Sequence, residues 1–229
     1  LQPRVDRPHV RLRRLRRFEL LAKRRERLLA CVAFLRRRLL RRFDARGGVG
    51  LHARELVAEL RRGLAGFDGT TSAALTRAVE DLRQRSGNKL IGFIVDLRNN
   101  PGGSFDDAVK AADTFIDKGD IAIVKSRKGE STKHVAATPG DLANGQPIVA
   151  LVNGGTAREA ELVAGALQDS HRAVLLGTKT FGESAIETLI PLNGEGAIRL
   201  TTSRYLTPSG RTIHGKGLEP DLTVSPLKL

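Results

Sequence analysis

The sequence of 229 residues predicts an α/β domain with a mixed sheet, preceded by a basic leader that is helical or disordered. Three observations carry that expectation. Beyond residue 70, apolar runs of strand length alternate with stretches of helical period. Two of those runs, 90–97 and 148–152, are apolar almost throughout, as suits strands buried on both faces. Charge is also unevenly divided: residues 1–62 hold 20 basic and 6 acidic side chains, whereas residues 63–229 hold 19 of each. The whole net charge of +14 therefore falls in the first quarter, where 19 of the 20 cations are Arg. A break this abrupt divides the chain into a leader, 1–62, and a core, 63–229.

In the leader, Leu12, Leu15, Leu28, Val32, Leu35, Leu39 and Phe43 recur at helical spacing with Arg on the other faces. The pattern fits one or two basic amphipathic helices. An arm for nucleic acid or an anionic membrane is one account of it. A solvated or disordered leader and translation of a GC-rich stretch out of frame are two others, and both rank above the first. The Arg residues show no regular interleaving with aromatic residues of the kind that stacks on bases. The sequence contains no Met, which fits a fragment, a processed form or a mistranslated start. Gly47-Gly48-Val49-Gly50 interrupts the pattern, and 53–62 is helical again.

From there the elements follow in order. Residues 67–71 form a turn with capping residues. The stretch 73–85 is an amphipathic helix with Leu75, Val79 and Leu82 on one face. Strand 90–97 runs into the loop Asn99-Asn100-Pro101-Gly102-Gly103, then helix 105–117. Strand 121–124, a polar connection 138–146 and strand 148–152 come next. A Gly154-Gly155 turn leads into helix 157–169. Strands 173–176, 186–190 and 197–204 complete the core, the last two without an intervening helix.

Composition excludes several classes. The single cysteine, Cys31, rules out an intramolecular disulfide and a Cys-based zinc cluster. No apolar run approaches the ~18–20 residues of a membrane-spanning helix. The run 28–35 ends in Arg36-Arg37-Arg38 where a secretory signal needs small residues, so no export signal is readable. No metal or cofactor motif is present, and His171 and His214 fit surface positions.

Two strand-to-helix turns, 99–103 and 153–155, end in paired glycines. Such turns present backbone N–H groups to a ligand, and a following helix adds unpaired donors. Tight turns also need Gly for purely structural reasons, and each turn taken singly favours that account. Thr156-Ala157-Arg158-Glu159 has the form of a capping box, with Thr156 as cap and Glu159 bonding back. Arg158 then sits where the helix dipole disfavours a cation.

Several segments together resemble the C-terminal processing, or tail-specific, serine peptidases. They are 92–103 (GFIVDLRNNPGG), 153–169 (NGGTAREAELVAGALQD), 180–187 (TFGESAIE), 200–211 (LTTSRYLTPSGR) and 215–221 (GKGLEPD). The resemblance runs over about residues 67–226, in order and almost without gaps. It implies a crotonase-like (ClpP/crotonase-type) peptidase core, a Ser/Lys dyad, and cleavage of protein or peptide substrates near their C-termini, with no metal. It also implies the periplasm or cell envelope, or the lumen of plastid thylakoids. The family's nucleophilic serine aligns with Arg158, its general-base lysine with Glu183, and the glutamine supporting that lysine with Glu187. Asp169 matches the family's helix-end aspartate. Backbone N–H groups of Glu159 and of Gly102 or Gly103 align with the oxyanion donors. Arg158 offers no hydroxyl and stays protonated, and Glu183 has no nucleophile to serve. The expectation is an Arg158–Glu183 ion pair filling the site of an inactive peptidase, with Ser184, Lys179 and Thr156 poor substitutes. A non-cleaving pseudopeptidase that binds peptide, or a truncated or frame-damaged copy, are the alternatives. The family's PDZ module is largely absent: Gly47–Leu51 faintly resembles its carboxylate-binding loop, but 52–66 is too short for the rest.

Overall fold

A computed structural model describes residues 64–224, apart from 87–89, 91, 127–130, 193 and 195. The expectations for the leader therefore lie outside the described residues. Parallel and antiparallel pairing are both present, divided between two four-stranded sheets.

The first sheet is built from the apolar runs. Strands β1 (Phe93–Asp96), β4 (Ile148–Val152), β5 (Ala173–Gly177) and β8 (Leu222–Thr223) lie side by side in that order, all parallel. β4 is central, and Ile148, Val149, Ala150 and Val152 are buried, as an apolar strand between two neighbours requires. The second sheet has the order β3-β2-β7-β6, all antiparallel: β2 is Asp120–Ser126, β3 Thr132–Ala136, β6 Ala185–Pro191 and β7 Ala197–Leu206. β3 falls in a stretch where the sequence predicts no strand. Four of its five residues are exposed, so no apolar alternation marks it.

Three helices accompany the sheets. Helix α1 (Thr71–Ser86) buries the stripe Leu75, Val79 and Leu82. Its first turn is capped from another helix: the buried carboxylate of Asp107 accepts from the N–H groups of Gly69, Thr71 and Ser72 at 3.0–3.2 Å. Burial alone would raise the Asp107 pKa, but the Ser72 side chain together with these N–H groups outweighs it and holds the group below its ordinary value. Helix α2 (Phe105–Asp113) starts at the N-cap Ser104. It is shorter than the sequence predicts: after the C-cap Thr114, itself right-handed helical, the N–H groups of Phe115 and Ile116 bond three residues back, to Ala112 O and Asp113 O, and the α-helical ladder ends.

Helix α3 (Glu159–Asp169) packs against both β5 and β2, with α2 alongside. Every residue from Glu159 to Leu167 is buried, which accounts for the small and apolar residues that fill all of it except Glu159 and Glu161. One continuous core joins Leu75 and Val79 of α1, Phe93 and Val95 of β1, Phe115, Leu162 and Leu167 of α3, and Tyr205 of β7.

Candidate active site

Two turns at the carboxyl ends of neighbouring parallel strands meet. After β1, Asn99 adopts a left-handed φ of 57°; its N–H donates to Asn153 Oδ1 at 3.0 Å, and Asn153 Nδ2 donates back to Asn99 Oδ1 at 2.9 Å. The buried Asn100 side chain donates to Leu64 O at 2.6 Å and accepts from Gly102 N–H at 2.8 Å. Ala157 N–H donates to Asn100 O at 2.9 Å. Asparagine supplies donor and acceptor on one short stem, so two turns without regular pairing still satisfy their backbone groups.

Thr156 is no helix cap. Its buried hydroxyl donates to Leu97 O at 2.8 Å and accepts from Asn153 N–H at 3.0 Å, which locks the second turn onto the end of β1. The N-cap position falls instead on Arg158, whose φ of 50° and ψ of −126° lie in a region that L-residues rarely enter. A residue held there costs ~1–3 kcal/mol, which the surrounding hydrogen bonds must offset.

The Arg158 side chain leaves the helix axis and reaches the antiparallel sheet. Its Nη2 lies 3.1 Å from Glu183 Oε1 and 3.1 Å from Glu187 Oε1. Arg199 Nη1 approaches the other Glu187 oxygen at 3.5 Å. The two side chains expected to face each other do so, and Glu187 joins them. The hydrogen bond to Glu183 is the main reason the Arg158 pKa rises; burial opposes it, and the charges of Glu183, Glu187 and Glu159 add to it. Arg158, Glu187 and Arg199 line a cleft of about 410 Å³, together with Gly103, Phe105, Glu159, Ile186 and Leu189.

The backbone donors implied by the resemblance are engaged. Gly102 N–H serves Asn100, and Gly103 N–H donates to Glu159 Oε2 at 2.8 Å. Gly102 has φ of 95°, and a Cβ there would fall 2.4 Å from Glu159 Oε2 and 2.6 Å from Arg158 Cβ, so only glycine lets the turns approach. Burial raises the pKa of Glu159, with Gly103 N–H, its own N–H and Arg158 opposing.

Asp169 stands apart. It closes the far end of α3, ten residues from Glu159 and so about 15 Å along the axis. There it accepts from Ser209 N–H at 2.9 Å, from Ser209 Oγ at 2.5 Å and from Arg211. Its role is to hold the 207–211 turn. His214, expected at the surface, is half-buried with a buried Nδ1, whereas His171 is exposed.

Two residues that the sequence reasoning missed hold the site together. The fully buried Glu161 accepts from Thr180 Oγ1, from Gly182 N–H at 2.8 Å and from Glu183 N–H at 2.8 Å, fastening segment 180–183 to α3. Burial raises its pKa against those three donors. The buried hydroxyl of Tyr205 donates to Arg158 O and lies 3.2 Å from Glu183 O. Signals existed for both. Glu161 is an acid flanked by Ala160 and Leu162 in an apolar helix, and Tyr205 is the sole tyrosine of the sequence.

Among the described residues, no group of three His, Cys, Asp or Glu side chains is arranged to hold a metal ion. None of their helices is long and apolar enough to cross a membrane.

The sheets, the paired turns and the helix between them match the model of peptidase family S41 over residues 63–224, and the chain belongs to that family. It is 44% identical over 159 residues to a carboxy-terminal-processing protease of Bartonella bacilliformis, covering 69% of this chain and 37% of that one. It is 39% identical over 160 residues to a probable CtpA-like serine protease of Staphylococcus aureus strain N315, covering 69% of this chain and 32% of the other. Among solved structures it is similar to a photosystem II D1 C-terminal processing protease, with a TM-score of 0.64 and 33% identity over 70% of this chain and 41% of that chain. The fold also matches a putative S41 protease from Bacteroides fragilis at a TM-score of 0.55 and 21% identity, over 68% of this chain and 42% of that chain. The chain thus spans about a third of the length of the curated relatives it matches.

Proposed function

We propose that this chain is a pseudopeptidase of the S41 family, which offers its cleft to protein or peptide segments without cutting them. One observation carries the proposal: the guanidinium of Arg158 bridges Glu183 and Glu187 at 3.1 Å, where the family resemblance places a serine, its lysine base and the supporting glutamine. Serine peptidase chemistry needs a hydroxyl within reach of a base. Arg158 has no hydroxyl and no acceptor, and the carboxylate of Glu183 is engaged by a cation.

Nearby side chains do not replace the missing pair. The Thr156 hydroxyl is buried in two hydrogen bonds. Lys179 Nζ lies 2.7 Å from Glu219 Oε1, in an exposed pair. Ser184 Oγ is buried, where no carbonyl can reach it without opening the structure. The cleft itself persists, with Phe105, Ile186 and Leu189 beside two arginines and two carboxylates that balance each other, so it suits a segment carrying apolar groups.

The test is incubation of the full chain with an unstructured protein, with product termini read by mass spectrometry, beside labelling by a fluorophosphonate. No new termini and no labelling are expected, while a fluorescently labelled unstructured peptide gains anisotropy on binding. New termini, or a labelled serine, would overturn the reading.

A second reading is a frame-damaged copy without a function of its own. The Arg-rich composition of residues 1–62, set against the balanced charge of the remainder, favours it. Under that reading the chain neither binds peptide nor unfolds cooperatively in urea.

A further inference from the structure

The two N–H groups beside the cleft at Gly103 and Glu159 form a small cradle for negative charge. Its geometry is unusual in one respect: the cradle holds a carboxylate of the same chain. Glu159 Oε2 accepts from Gly103 N–H at 2.8 Å. That oxygen lies 2.4 Å from where a Cβ on Gly102 would stand, and Glu159 N lies 3.0 Å from the same point. The carboxylate thus sits between the turn after β1 and the start of α3, and it is 6% exposed as a residue.

We propose that Glu159 is an intramolecular plug: its carboxylate closes the backbone cradle against any external carbonyl or carboxylate, and it does so independently of the Arg158–Glu183 pair. The inference rests on the functional reading above only for the cradle's role. Charge and space both support it. An incoming oxygen would have to displace Oε2 from Gly103 N–H, and negative charge developing beside an ionised Glu159 is repelled. Replacing Arg158 and Glu183 leaves the plug in place, because neither supplies the Gly103 hydrogen bond.

Every charged group around the plug bears on its state. Arg158 precedes it on the same turn and favours its charge. Glu183 disfavours it from the segment before β6. Glu187 on β6 and Arg199 on β7 face the same cleft, as a pair of opposite sign. Glu161 and the hydroxyl of Tyr205 lie on the buried side. Burial dominates and raises the Glu159 pKa from its ordinary value. On protonation, Oε2 becomes a weaker acceptor, so the grip on Gly103 loosens at low pH.

The Gly103 amide reports directly on this contact. In the uniformly ¹⁵N-labelled full chain, its resonance is followed from about pH 4 to about pH 8. A titration step is expected with a midpoint above the ordinary glutamate value, and it disappears in Glu159→Gln, whose amide oxygen keeps the hydrogen bond. Glu159→Ala empties the cradle. Acetate then shifts the Gly103 and residue-159 amides of that variant, with an affinity about tenfold or more above that of the wild type. A Gly103 amide that ignores pH, the same step in Glu159→Gln, or equal acetate binding by wild type and Glu159→Ala would each overturn the proposal. None of these readouts depends on cleavage, so they fail separately from the non-cleaving reading.

Discussion

The two sheets meet the site in different ways. The parallel sheet contributes backbone: the turns after β1 and β4 bring Gly102, Gly103 and the 153–158 segment together through asparagine and threonine side chains. The antiparallel sheet contributes side chains: Glu187 of β6 and Arg199 of β7 line the cleft, and Glu183, just ahead of β6, pairs with Arg158. Burial differs in step. β4 is nearly all buried, whereas β6 beyond Ile186 and β7 before Leu200 are exposed. The frame of the peptidase fold therefore resides in close-packed backbone that tolerates little change. The groups facing it from the other sheet stand at a half-open surface, where charge can be rewritten at small cost.

The largest test of that contrast is Gly103→Ala. A Cβ there would lie 2.1 Å from Phe67 O, with φ of 148°. Backbone cannot yield as a side-chain tip can, so a loss of roughly 3 kcal/mol or more is expected in urea unfolding. A cost below about 1 kcal/mol would mean that the turn is softer than described. Thr156→Val comes next. It strips the buried hydroxyl from Leu97 O and Asn153 N–H, and a loss of about 1–3 kcal/mol is expected by the same measurement. Smallest is the ion pair. Arg158 and Glu183 are each about a third exposed, so a double-mutant cycle through Arg158→Ala and Glu183→Ala is expected to return a coupling of ~1 kcal/mol or less, shrinking further in high salt. A coupling that survives 1 M salt would place the pair with the frame rather than the surface.

Legibility in the sequence follows the same division. The apolar runs that became β1, β4 and β5 and the stripe of α1 were readable, because burial on one or both faces leaves a periodic trace. The exposed β3 left none. At the site, the facing of Arg158 and Glu183 came from resemblance to a family and not from spacing, since 25 residues separate them. Thr156 misled because a capping box and a turn lock use the same residues. Which N–H its hydroxyl serves depends on Leu97, 59 residues away. Asp169 shared a motif with the site but lies at the other end of its helix. The engagement of Gly103 N–H by Glu159 was invisible, because a one-dimensional pattern does not say which backbone groups each of two buried acids at a helix start will meet.

The hydroxyl of Tyr205, bonded to the carbonyls of Arg158 and Glu183, fixes the separation of two backbones rather than of two side chains. Whatever residues occupy 158 and 183 must therefore confront each other. A sequence drifting at one of these positions meets the other unchanged, and a lone switch of charge leaves a repulsive or unmatched neighbour. The two positions are therefore linked through the tyrosine between their backbones, but only weakly through their charges, since both side chains are part exposed.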